Sequence, residues 1–173
     1  MKVLVVDQFS PAGLEEMKSA GIDVIYEPGC NGEPLKNALA SHKPTALVVR
    51  STKVEKAHID ACSELKLIVR AGAGYDTIDF VYAASQGIYV CNCPGKNASA
   101  VAELTLGLIL SIDRRTAEGN ALFKEGKWNK GMFVDCKGIR GRTLGIIGYG
   151  NIGQLVCEAA KAFGMHVLVS SRT

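Results

Sequence analysis

The chain has 173 residues, enough for one domain or two small ones, and its 47% apolar and 21% charged residues exclude a disordered polypeptide. A net charge of +3, from 20 basic and 17 acidic residues interspersed along the chain, is too mild and too mixed for nucleic acid as the main partner. The most apolar run, residues 100–112, is interrupted by Glu103 and is too short to span a bilayer, which argues against a membrane partner.

In chain order, residues 2–6 read as a buried strand entered directly from Met1, with no secretory pattern before it. Ser10-Pro11 places an N-cap before a proline at the first helical position, and Gly21 closes that helix. Further strands are expected at Asp23 to Tyr26, Thr45 to Val49, Leu67 to Val69 and Ile88 to Cys91. Helices are expected between them at Glu33 to Ser41, near Val54 to Cys62, and at Ile78 to Ser85. This alternation predicts a parallel sheet covered on both faces, a flavodoxin-like α/β domain over residues 1–95. Its ligand belongs at the carboxyl ends of the strands.

Two of those carboxyl ends carry candidate site residues. Arg50 follows the third strand, in Val49-Arg50-Ser51-Thr52-Lys53, and Arg70-Ala71-Gly72-Ala73-Gly74 follows the fourth. Small residues from Ala71 to Gly74 let backbone N–H groups converge on an anion such as a carboxylate, and Arg50 and Arg70 can add bidentate contacts. The same residues also suit a plain turn flanked by solvated arginines.

Asn92 to Asn97, with Pro94 and Gly95, is the linker candidate. Ser99 is then expected to cap a helix with Glu103 in its first turn. Residues 100–112 are apolar nearly all round, so this helix must be buried on more than one side, which predicts a homodimer through it. Residues 114–130 turn polar, and Trp128 is expected as a packing anchor.

Thr143 to Gly153 reads TLGIIGYGNIG, a strand-forming run that ends in a G-x-G-x-x-G, with a helical pattern from Gln154 to Phe163 and a second strand from His166 to Val169. That order suits a dinucleotide's pyrophosphate. Gly148 permits the tight turn, Gly150 lets the backbone approach phosphate, and Gly153 lets helix and strand pack closely. The same βα turn also exists without a ligand. After the second strand an NAD site usually carries a carboxylate; here Ser170-Ser171-Arg172-Thr173 stands instead. The cofactor expected is NAD(P), leaning to NADP, with Ser171 and Arg172 toward a 2′-phosphate, although Arg172 also fits a solvated loop.

Six cysteines (30, 62, 91, 93, 136 and 157) follow no disulfide framework, and three distant histidines give no zinc spacing. Reduced thiols, a cytoplasmic location and no metal site are expected.

These stretches together resemble the D-2-hydroxyacid dehydrogenases, most closely their D-3-phosphoglycerate dehydrogenase branch. The resemblance rests on VVRSTKV (48–54), VRAGAGYDTID (69–79), CNCPGKNASAVAEL (91–104), GKWNKG (126–131) and TLGIIGYGNIG (143–153), in order over essentially the whole chain. It implies a flavodoxin-like substrate domain, residues 1–95, followed by the first half of a Rossmann nucleotide domain, residues 96–173. It further implies that Arg50 binds the substrate's acidic group and that the backbone of Ala71 to Gly74 holds the carboxylate of a small 2-hydroxy or 2-oxo acid. Ala73 would border the nicotinamide, Asn97 would lie near a hinge beside the active site, and Asn151 and Ile152 would contact the pyrophosphate. The helix from Ser99 would be the dimer element.

The family's catalytic arginine, glutamate and histidine have no counterpart in these 173 residues. His42, His58 and His166 match no motif position, and ordinary surface or strand-end roles are expected of them. No catalytic residue is therefore assigned, and the chain by itself is expected to be inactive, as a portion of a longer enzyme. The substrate expected is 3-phosphoglycerate, or alternatively hydroxypyruvate or glyoxylate. A non-catalytic nucleotide-binding or interaction module is the rival class.

Overall fold

Residues 3–6 and 46–49 are buried along their whole length, the situation of central strands in a sheet covered on both faces. The computed structural model describes residues 1–172 and divides into two units, Met1–Lys96 and Asn97–Thr173. The first holds β1 (Lys2–Val5), α1 (Pro11–Ser19), β2 (Asp23–Tyr26), α2 (Glu33–His42), β3 (Ala46–Val49), α3 (Lys56–Ile59), β4 (Leu67–Arg70), α4 (Phe80–Ser85) and β5 (Tyr89–Cys91). Its strands are all parallel, in the order β2-β1-β3-β4-β5, with Val5 opposite Val48 and Val49 opposite Arg70.

Alternation along the strands sorts the core by face. Leu4, Val6, Leu47 and Val49 pack with Leu35 and Leu39 on one side, while Val3, Val5, Ala46 and Val48 pack with Phe9, Leu14 and Met17 on the other. Each fully buried Val or Leu side chain stabilises the unit by about 1.5–3 kcal/mol. Ser10 caps α1 as its sequence suggests, its Oγ accepting from the N–H of Gly13 at 3.1 Å, with Pro11 at the first helical position.

Two elements differ from expectation. α3 is confined to Lys56–Ile59, not Val54 to Cys62, because Val54 is drawn into a parallel bridge with Ile78 and Glu55 stays extended. α4 starts at Phe80, since Asp79 becomes its N-cap and accepts from the N–H of Tyr82 at 3.0 Å.

The second unit holds α5 (Ala98–Arg114), α6 (Thr116–Lys124), a 3-10 turn (Lys130–Phe133), β6 (Thr143–Ile147), α7 (Asn151–Ala162) and β7 (His166–Ser170). β6 and β7 pair in parallel, and α7 is the crossover between them. Its core is two small clusters, Ala102, Leu106 and Val156, and Ile139, Ala160 and Met165.

Several expectations are corrected here. Asn97 stands at the N-cap of α5, and Ser99 lies inside the helix with its hydroxyl donating to Glu103 at 3.1 Å. Among the described residues α5 buries Ala98, Ala102 and Leu106 and leaves Leu104, Leu108 and Ile112 63%, 54% and 79% exposed, so cover for that second face, as expected from its apolar pattern, has to come from outside them. The polar stretch after Arg114 contains a helix, α6, and Trp128 is 82% exposed, so it anchors no packing among the described residues.

Candidate functional site

Arg50 opens the loop after β3, and Arg70 ends β4, the neighbouring strand. The sheet therefore brings the two candidate loops side by side at its carboxyl edge, where the N–H of Ala71 donates to the carbonyl of Val49 at 2.7 Å. Arg50 is exposed, and its guanidinium forms no ion pair among the described residues. The loop from Ala71 to Gly74 is tied down through its carbonyls. Gly72 O accepts from the N–H of Cys93 at 2.9 Å, and Ala73 O accepts from Asn92 Nδ2 at 2.7 Å. The N–H groups of Ala73 and Gly74 meet no acceptor among the described residues. Carbonyls turned back and amides left free make a site that suits an anion.

Arg70 folds over this loop. A Cβ at Gly72 would overlap Arg70 Nη1 and lie 2.8 Å from Cζ, so glycine at this position is what admits the guanidinium. Arg70 Nε is buried and has no partner among the described residues. Beside the loop, Tyr75 and Phe80 meet edge to face at 5.2 Å and line a cavity of about 380 Å³ with Tyr89 and Asn92.

Sequence reasoning missed Asp7. It lies just beyond β1, and its Oδ2 accepts from the N–H groups of Arg50, Ser51 and Thr52 at 2.6, 3.0 and 3.1 Å. Burial pushes this carboxyl up, but those N–H groups outweigh it and hold the group below its usual range. The available signal was a carboxylate directly after a buried strand; its partners, more than 40 residues away, were invisible. His58, expected at a surface or strand end, is instead buried and braces α3. Its Nδ1 accepts from Glu55 N–H at 3.0 Å, and its Nε2 lies 3.1 Å from Gly32 O.

In the second unit, the turn between β6 and α7 has the form its glycines suggest. Gly148 sits at φ +95°, which side-chain-bearing residues rarely adopt, and its N–H donates to Ser170 O at 2.7 Å. Gly150 is the N-cap of α7, and neither it nor Gly148 has any heavy atom within 4 Å of where a Cβ would stand. A Cβ at Gly153 would overlap the carbonyl oxygen of Gly148 and lie 3.5 Å from Ile146 Cγ2. α7 has no side-chain cap, and its first internal bond is Gln154 N–H to Gly150 O at 3.0 Å. The N–H groups of Asn151, Ile152 and Gly153 are thus left for another acceptor. Gln154 Nε2 donates to Tyr149 O at 3.1 Å, the space at Gly148 and Gly150 stays open among the described residues, and the turn fits a dinucleotide's pyrophosphate.

Ser171 and Arg172 follow β7 and are exposed, with Ser171 Oγ donating to Arg172 O at 3.2 Å; residue 173 lies outside the described residues. Asn97 falls in the second unit, exposed at the start of α5. Among the described residues no cluster of His, Cys, Asp or Glu could hold a metal, all six cysteines are free, and no helix is long and apolar enough to cross a membrane. Burial pushes the Cys30 and Cys62 thiols up, away from nucleophilic thiolate chemistry.

The family described as D-isomer specific 2-hydroxyacid dehydrogenase, catalytic domain, matches residues 3–170. A D-3-phosphoglycerate dehydrogenase of Archaeoglobus fulgidus is 38% identical over 97% of this chain and 32% of its own length. A hydroxypyruvate reductase of Thermotoga maritima is 50% identical over 70% of this chain and 40% of its own. The chain thus spans well under half the length of these curated relatives. Among solved structures, the TT0316 protein of Thermus thermophilus superposes with a TM-score of 0.90 at 31% identity, over all of this chain and 57% of that one. A 3-phosphoglycerate dehydrogenase of Entamoeba histolytica with NAD+ bound gives 0.78 at 30% identity, covering 98% and 53%. An acyclic imino acid reductase, Bsp5, in complex with NADPH and D-Arg gives 0.82 at 30% identity, covering 98% and 55%.

Proposed function

The chain belongs to the D-isomer specific 2-hydroxyacid dehydrogenases, and on that premise we propose that it carries the acid-binding loops and the nucleotide-binding turn of an oxidoreductase for a small 2-hydroxy acid, in the manner of D-3-phosphoglycerate dehydrogenase. The observation that supports this best is the open turn at residues 148–153: three helix-start N–H groups without acceptors, over a glycine whose replacement would strike backbone. Gly148, Gly150, Asn151, Ile152 and Gly153 would hold the pyrophosphate of a nicotinamide dinucleotide. When bound, that cofactor supplies the hydride chemistry.

This chain's own residues then bind and orient the acid. The free N–H groups of Ala73 and Gly74 take its carboxylate, with Gly72 keeping the backbone bare, and Arg50 and Arg70 face its acidic group. The exposed row of Leu104, Leu108 and Ile112 on α5, spaced by four, supports a homodimer through that helix.

A second substrate reading, hydroxypyruvate or glyoxylate, is favoured by the 50% identity to a hydroxypyruvate reductase. Asp7, ionised beside the Arg50 loop, makes that corner less positive than Arg50 and Lys53 alone would make it, which also favours the unphosphorylated acid. For the nucleotide the reading is NADP, since Ser171 and Arg172 offer hydroxyl and guanidinium where a carboxylate would repel a 2′-phosphate. Calorimetric titration of NADPH against NADH tests the nucleotide preference and the pyrophosphate site together. NADPH is expected to bind more tightly, with Arg172→Ala reducing that affinity roughly tenfold and leaving NADH unchanged. Tighter NADH binding overturns the NADP reading. No binding of either nucleotide overturns the pyrophosphate site.

A further inference from the structure

We propose that Asp7 is a positioning residue for acid binding: its carboxylate gathers the backbone of Arg50, Ser51 and Thr52 and so fixes the path of the loop from which the Arg50 guanidinium reaches the substrate. This rests on the reading of Arg50 given above.

The sheet supplies the geometry. β1 has β2 on one side and β3 on the other, so the chain leaves its carboxyl end in one direction and returns on the opposite flank. The loops after β1 and β3 diverge at such a reversal and leave a crevice there. Val6 N–H still donates to Val48 O at 3.2 Å; one residue later the ladder stops, and the Asp7 side chain replaces it. Its Oδ2 takes the three successive N–H groups, and its Oδ1 accepts the Ser51 hydroxyl at 3.1 Å.

Three N–H groups in a row cannot all find carbonyl partners in a loop that is turning. One carboxylate oxygen at the centre of the turn satisfies them together. Both oxygens of Asp7 are thereby engaged from one side of the crevice. Arg50 gives Asp7 its backbone and not its guanidinium, which keeps the guanidinium available for an anion from outside. Open cavities of about 440 and 460 Å³ flank the carboxylate, the first lined by Ser51, Thr52 and Lys53 and the second by Gln8 and Arg50. The depressed titration of the carboxyl agrees with this geometry.

The test uses the 173-residue chain with 3-phosphoglycerate and hydroxypyruvate as probes. In amide NMR, the Arg50, Ser51 and Thr52 signals are expected to titrate together below about pH 4 and to lose that titration in Asp7→Asn, while amides elsewhere in the first unit stay in place. In calorimetry, Asp7→Asn and Arg50→Gln are each expected to weaken acid binding roughly tenfold without changing nucleotide affinity. Asp7→Glu, which keeps the charge on a longer stem, is expected to fall between. Loop amides indifferent to Asp7→Asn overturn the proposal. So does an unchanged acid affinity in Asp7→Asn where Arg50→Gln weakens it. Acid binding that Arg50→Gln does not affect, or none by the unaltered chain, overturns the reading of Arg50 and removes the role given to Asp7; the amide titration then shows which of the two failed.

Discussion

The two units bury their strands very differently. In the first, Leu4, Leu47, Val49 and Ile68 are wholly enclosed, because a five-stranded sheet with helices on both faces leaves its central strands no solvent side. In the second, strand residues of the same chemical type have little cover among the described residues: Ile147 is 95% exposed and Leu168 67%. A sheet of two strands with one crossover helix offers a single covered face. Identical apolar strings therefore differ in worth according to the number of neighbouring elements, a quantity that a local sequence window does not contain.

The sharpest way to break the contrast is a matched pair of truncations. Leu47→Ala is expected to destabilise the first unit by about 2–5 kcal/mol, whereas Leu168→Ala should change the second by less than about 0.5 kcal/mol, as read from urea unfolding followed by the amide signals of each unit. Equal costs would mean that Leu168 is enclosed in solution. Next in size is Gly153→Val, whose branched side chain must displace the Gly148 carbonyl. About 1–3 kcal/mol of stability should go, and nucleotide affinity should fall at least roughly tenfold while acid binding stays intact. Ser10→Ala should cost the first unit about 1 kcal/mol by uncapping α1.

The smallest effect concerns pH. Asp7 has its carboxyl held below the usual range in the folded chain, so it contributes stability above the unfolded pKa and loses that contribution as pH falls through the folded one. The first unit should therefore weaken below about pH 4, and Asp7→Asn should flatten that acid limb without altering stability at pH 7–9 beyond a constant offset. Thermal unfolding across pH, compared between the two chains, measures it.

Much of the architecture was legible because local chemistry and global fold agree. Ser10-Pro11, the β-branched strands and the Gly148 to Gly153 turn each carry their own explanation. What stayed hidden was decided at a distance. Val54 reads as helix until Ile78 bridges it, Asp7 reads as a strand end until three amides meet it, and α6 was masked by Gly119 and Asn120, poor helix formers within it. The free amides of Ala73 and Gly74 were half legible. Small residues announced an unusual backbone, but only Asn92 and Cys93, arriving from β5, show which way it turns.

The junction at Arg115 has one further consequence. This non-glycine residue sits at φ 52°, and it alone separates α5 from α6. Were its torsion to relax to the right-handed region, residues 98–124 would fuse into a single rod on the order of 40 Å long. The bend is latched by side chains and not by a helix breaker: the Arg115 guanidinium holds Met132 O at 2.8 Å and pairs with Glu118, and Ser111 meets Thr116 at 2.6 Å across the corner. The elbow is thus set in part from the 3-10 segment downstream, and straightening the long helix would require releasing Met132, Glu118 and the Ser111–Thr116 contact together.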